Sequence, residues 1–367
     1  MTDALRELTD LGVSIWLDDL SRSRLTSGNL AELIATRSIR GVTTNPAIFE
    51  KAIAQGAADY AEGLSACAAE GLDVDATIRR LTTDDVRRAC DVLAPIYEAS
   101  HGEDGRVSIE VDPRLAHDTE ASVLQALDLR RIVDRPNVMI KVPATRAGLP
   151  AIRRIIAAGV SVNVTLIFSV ERYREVVAAY LDGLRDAMEA GVPLHGIRSV
   201  ASLFVSRVDS SVDPMLDRIG SELATELRGS AAIANARLVW GAYLEAHADI
   251  PWQELAAAGA NRQRPLWAST GVKDARYDDT RYVIELAVAG CVNTVPAATL
   301  EAVASHGHPG GDTVSPNIEA ARDTWDALEA LGVSRVAICD ALERDGVQQF
   351  IDAWNRLRDT VATALER

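Results

Sequence analysis

Residues 137–148 read NVMIKVPATRAG: three apolar residues, then Lys141, then Val-Pro and a turn carrying Thr145 and Gly148. Lysine is scarce in this chain. It occurs only at positions 51, 141 and 273, whereas lysine and arginine together number 38, so arginine is the default cation. A guanidinium stays protonated, but a desolvated ammonium can lose its proton and become a nucleophilic amine. Taken alone, Lys141 fits equally well a side chain that snorkels from a strand end or pairs with an acid. Its neighbours in space must decide.

Other short apolar runs also hand over to polar residues at their C-terminal ends. These residues are Asp18, Asn45 in GVTTNP, Glu110 in SIEVD, Asn163 and Thr165 in VNVTL, Ser202 and Arg207 in ASLFVSR, and Ser269 in LWAST. Each has an ordinary structural explanation: a helix cap, an Asn-Pro turn, an ion pair or a small side chain. Brought to one pocket, they would surround one amine with two acids, two amides and several hydroxyls. A metal would want more histidines or carboxylates. A lysine flanked by carboxyl groups suits imine chemistry on a carbonyl compound: the amine attacks a ketone, water leaves with acid help, and the iminium draws electrons from an adjacent carbon–carbon bond.

The elements that must position these groups follow from the same runs. They lie at 13–17, 39–43, 107–111, 138–142, 160–166, 197–205, 265–268 and 291–295. Eight runs separated by segments long enough for crossover helices predict repeated βα units and a parallel sheet closed as a (β/α)8 TIM-type barrel, whose reaction site lies at the C-terminal strand ends. Between two runs, Ser169 can cap a helix whose apolar stripe includes Tyr173, Val176, Val177, Tyr180, Leu181 and Leu184, ended by Gly191 and Pro193. The longer gaps, about 46–105 and 206–263, read as helical insertions, with Thr/Asp start signals as in TTDDVRRACDVLAPIYEA. Two further helices, roughly 317–331 and 340–366, are expected on the outside. The whole of 1–367 reads as one α/β-barrel domain with helical additions.

A net charge of −15 and the absence of a basic run oppose nucleic-acid binding, so an anionic ligand must meet a local cationic site. MTDALRELTDLG carries three acids and no signal-like apolar run, and later apolar windows are broken by Arg153, Arg154 and Asn163, which predicts a soluble cytoplasmic protein with no membrane partner. Cys67, Cys90, Cys291 and Cys339 have no disulfide or zinc spacing. The histidines in HGHPG at 306–310 read as loop, with only Asp312 as a nearby acid. No cofactor and no metal are expected.

IWLDDLSR, GVTTNPAIFEKAI, VSIEVDPRLAHD, NVMIKVPAT, VNVTLIFS, ASLFVSRVD and RPLWASTGVKD, in this order, closely resemble the transaldolase family in its longer bacterial form. The resemblance implies a metal-independent transferase that moves a dihydroxyacetone unit reversibly between sugar phosphates, in the non-oxidative pentose phosphate pathway, as a monomer or homodimer. It implies that Lys141 is the Schiff-base nucleophile, Asp18 the acid/base at the cleaved bond's hydroxyl, and Glu110 a proton shuttle acting with Thr165 through a water. Asn45, Asn163 and Ser202 would hold the dihydroxyacetone portion, and Arg207 and Ser269 the phosphate. Many family members carry an arginine two residues after the position of Ser269; here Gly271 stands there, so Lys273 is expected to join the phosphate site. Two alternatives remain: a fructose-6-phosphate aldolase-like enzyme releasing free dihydroxyacetone, and a non-catalytic sugar-phosphate-binding protein.

Overall fold

The computed structural model describes residues 3–366. Eight parallel strands, β1 (Ser14–Leu17), β2 (Gly41–Thr43), β3 (Arg106–Glu110), β4 (Val138–Pro143), β5 (Val162–Ile167), β6 (Ser199–Phe204), β7 (Gln263–Ala268) and β8 (Val292–Val295), follow one another around a closed barrel. β8 pairs back onto β1, with Ser14 opposite Val292 and Leu17 opposite Val295. Each strand falls on one of the apolar runs read from the sequence. Every strand residue is buried, because the barrel interior covers one face and the helical ring the other.

The N-terminal end of the barrel is closed by a polar plug. Arg264 donates to Ser14 Oγ at 2.6 Å and to Asp104 Oδ1 at 3.1 Å, while Arg106, buried among the strands, donates to the Gly102 carbonyl and to Ser161 Oγ. A buried guanidinium is tolerated only when its donors are satisfied, and these are.

The helix expected after β5 is present as Val170–Glu189: Ser169 Oγ accepts from the Arg172 N–H at 3.0 Å, and Tyr173, Val176, Val177, Tyr180 and Leu184 are buried. The gaps at 46–105 and 206–263 contain helices. The Thr/Asp pattern at 82–85 does not start one. Thr82 and Thr83 do not begin a helix; Asp73 caps one 26-residue helix, Val74–Ala99, and the two threonine hydroxyls donate back to the Ile78 and Arg79 carbonyls. Such back-bonding lets threonine sit inside a helix without opening it.

The C-terminal segment also departs from expectation. Ile318–Ala330 packs on the outside against Ala231–Ala246, but the second helix runs from Arg335 to Leu365 and crosses the C-terminal end of the barrel, against Pro46–Gln55, Val74–Ala99 and β5. Its buried residues include Leu342, Gly346, Val347, Phe350, Ala353 and Leu357, which form a stripe along that face.

The turn after β4 requires glycine at 148: a Cβ there would overlap the Pro143 carbonyl oxygen and crowd the Thr145 hydroxyl, which already receives the Gly148 N–H at 2.9 Å. Gly148→Ala is therefore expected to destabilise the fold by about 1–3 kcal/mol, the usual scale of overpacking. Thermal unfolding checks this, and an unchanged Tm would contradict the close approach.

Candidate functional site

Strand register builds the centre of the site. β3 and β4 align Glu110 with Lys141, and β4 and β5 align Lys141 with Asn163. Lys141 Nζ lies 3.3 Å from Glu110 Oε2 and donates to the Thr44 carbonyl at 3.0 Å. Both side chains are almost wholly out of water, Lys141 at 5% and Glu110 at 8% exposure. Phe350, from the C-terminal helix, puts its ring centroid 5.9 Å from Nζ.

Asp18 follows β1 directly. Its N–H continues the ladder to the Val295 carbonyl, and its Oδ1 accepts from Thr43 Oγ1 at 2.7 Å. Thr43 has a single hydroxyl proton, so Thr294 Oγ1, also at 2.7 Å, donates to it in turn. Burial pushes the Asp18 carboxyl above its ordinary range, with Lys141 and the Thr43 hydroxyl pulling the other way. Burial pushes Glu110 up to about 7; Lys141 opposes this and Asp18 adds to it. Desolvation thus outweighs the attraction of the ammonium for both acids, and it leaves Glu110 able to carry a proton near neutrality.

Across the barrel floor, Ser202 Oγ donates to Asn163 Oδ1 at 2.7 Å and Asn163 Nδ2 donates to Ser108 Oγ at 3.1 Å. Thr165 stands two residues beyond Asn163 with its hydroxyl buried and unpartnered, and Glu110 Oε2 has no well-aligned hydrogen bond. Leu166 next to it adopts φ +60°, and β5 has one residue more than β6 between the pairs Val164–Ala201 and Ile167–Leu203. This is a β-bulge at the rim, a device that re-aims side chains near functional sites. Asn45 serves as a helix cap after all: its Oδ1 accepts from the Ile48 N–H at 3.0 Å, Pro46 occupies the first helical position, and the amide nitrogen is left without a hydrogen bond among the described residues.

The remaining expected residues gather at the ends of β6 and β7. Arg207 is half-buried, stacks its guanidinium 5.2 Å from the Phe204 ring and forms no ion pair among the described residues; burial depresses its pKa. Ser269 holds φ +56°, rare for a non-glycine residue, and its Oγ lies 3.1 Å from Ser206 Oγ. Lys273 is exposed, yet its Nζ folds back to 4.0 Å from where a Cβ on Gly271 would stand. The ammonium thus stands at ordinary van der Waals distance from the position a side chain at 271 would start from.

Sequence reasoning missed Thr43, the Thr44 carbonyl and Phe350. Thr43 was legible in GVTTNP as a hydroxyl at a strand end. A backbone carbonyl and a helix some 200 positions downstream of the lysine carried no local signal. The reading of Asp312 as the sole acid near the HGHPG histidines is corrected: His306 ends the helix Ala297–His306, and its Nε2 lies 2.8 Å from Asp279 Oδ1 on the surface.

The family model described as Transaldolase/Fructose-6-phosphate aldolase matches residues 15–361. Transaldolase 1 of Streptomyces avermitilis is 58% identical over 361 residues, covering 98% of this chain and 95% of that protein. Transaldolase of Mycolicibacterium smegmatis is 56% identical over 362 residues, covering 99% and 97%. Transaldolase of Mycobacterium tuberculosis is 57% identical over 354 residues, covering 96% and 95%.

Infrared difference titration against Glu110→Gln should reveal a carboxyl that keeps its proton until the pH approaches about 7 and is a carboxylate above it. Complete ionisation by about pH 5, as for an ordinary solvated glutamate, would contradict the desolvation argument.

Proposed function

We infer the course of the reaction from one premise: the chain belongs to the transaldolase/fructose-6-phosphate aldolase family. It functions as a transaldolase, transferring a dihydroxyacetone unit reversibly from a ketose phosphate, such as sedoheptulose 7-phosphate or fructose 6-phosphate, to an aldose phosphate through a lysine Schiff base. The observation that best supports Lys141 as that lysine is its buried ammonium, 3.3 Å from one carboxyl at the barrel mouth.

In this reading Lys141 Nζ, having passed a proton to Glu110, attacks the ketose carbonyl to give a carbinolamine. Glu110, with the unpartnered Thr165 hydroxyl and a water between them, returns a proton to the departing oxygen, and water leaves an iminium. Asp18, held by Thr43, takes the proton of the hydroxyl on the carbon beyond the scissile bond. That bond's electrons flow to the iminium nitrogen, the aldose leaves as an aldehyde, and a three-carbon enamine stays attached. An acceptor aldehyde then reverses the sequence. Asn45, through its free amide nitrogen, and the linked pair Asn163 and Ser202 hold the dihydroxyacetone hydroxyls. Arg207, unpaired and partly desolvated, takes the phosphate with Ser269 and Lys273. The reading includes a cytoplasmic location, supported by four free, buried cysteines; among the described residues no helix is long and apolar enough to cross a membrane.

Borohydride reduction with fructose 6-phosphate, followed by peptide mapping, should place a reduced three-carbon adduct on the peptide bearing Lys141, and Lys141→Met should abolish both adduct and turnover. Turnover surviving that substitution, or an adduct elsewhere, removes the assignment. Lys273→Ala should raise KM for phosphorylated substrates severalfold, up to about tenfold, with kcat little changed, as expected from losing one exposed charge-assisted contact. An unchanged KM would leave the phosphate to Arg207 and Ser269.

A further inference from the structure

The long C-terminal helix lays three residues, Gly346, Phe350 and Trp354, along one face at four-residue spacing, and each meets a different part of the site. Gly346 faces the bulged end of β5, where a Cβ would come within 3.0 Å of Leu166 Cδ2 and 3.4 Å of the Phe168 ring. Phe350 is buried, 5.9 Å from Lys141 Nζ by its ring centroid. Trp354 lines a cleft together with Thr44, Asn45 and Glu110.

These contacts are linked. The Phe350 ring meets Phe204 edge-on at 6.3 Å, Phe204 is tilted onto Phe168 at 5.4 Å, and the Arg207 guanidinium rests 5.2 Å from Phe204. An aromatic wall therefore runs from the nucleophile to the cation at the far end. The helix is held in place at both ends, by Arg172–Glu343 at 3.1 Å and Arg358–Asp75 at 2.8 Å.

We propose that Phe350 is a positioning residue of the reaction, carried across the barrel mouth by the C-terminal helix to keep water from the Lys141–Glu110 pair and hold Nζ toward Glu110 and the Thr44 carbonyl. The proposal rests on the imine reading of Lys141. Its physical basis is that the attraction between an ammonium and a carboxyl 3.3 Å apart depends steeply on the local dielectric. One apolar ring on the open side of the pair removes the water that would screen it, and its π face tolerates a cation at that range. Gly346 is what allows the helix to come close enough for the ring to reach.

Phe350→Met and Phe350→Gln place side chains of similar length over Nζ, one apolar and one polar. Phe350→Met is expected to retain kcat within about threefold, whereas Phe350→Gln is expected to lose at least about tenfold in kcat with KM for fructose 6-phosphate changed less than about threefold. Thermal unfolding of both variants separates packing from positioning. Equal kcat values for the two, or a Gln effect confined to Tm or KM, would overturn the proposal. Should the imine reading itself fail, borohydride would leave Lys141 unlabelled in the unsubstituted protein, a result that does not involve Phe350.

Discussion

One ammonium paired with Glu110, and felt by Asp18, in a nearly dry barrel mouth is the constraint on which the rest of the site depends. Removing charges from water costs several kcal/mol per ion, and attraction repays this only in part. The balance is visible in the acids: both Asp18 and Glu110 sit above their ordinary range although Lys141 opposes the shift in each. Desolvation wins, and its consequence is chemical. A glutamic acid that holds or releases its proton near neutrality can serve a dehydration, which a fully ionised surface carboxylate could not do.

The barrel makes this tolerable by dividing stability from chemistry. At the N-terminal end, Arg106 and Arg264 are buried with their donors satisfied by carbonyls, serines and Asp104, so that end is rigid and closed. At the other end the polar groups are incompletely paired. Among the described residues Thr165 lacks a partner, the Asn45 amide nitrogen has no hydrogen bond and Arg207 has no ion pair, while Ser269 and Leu166 hold left-handed backbone. Unmet hydrogen-bonding capacity beside left-handed backbone at this rim suits a surface organised for a ligand.

The helices beyond the eight βα units are part of this arrangement. The insertion between β2 and β3 supplies Asn45 with its capping role and encloses the cleft beside Glu110, while the C-terminal helix brings aromatic rings over the lysine. The two are packed against each other, so the pocket's dry wall is made where distant parts of the chain meet.

The sequence by itself determined the barrel and the rim at which most of the candidate residues meet. Period and burial of eight apolar runs set the strands, and because parallel strands present their C-terminal ends to one side, residues such as Asp18, Glu110, Lys141 and Asn163 could be assigned to one pocket from their position in each run. It misread Thr82 and Thr83 as a helix start, since a hydroxyl that can cap a helix can also donate back within one, and only the surrounding packing chooses. Only the tertiary structure decided that Glu110 rather than Asp18 makes the ion pair with Lys141, that Thr43 holds Asp18, that Lys273 Nζ folds back beside Gly271, and that Phe350 approaches the lysine at all. Register, close approach and loss of water are properties of segments brought together from far apart in the chain, and no local pattern of residues encodes them.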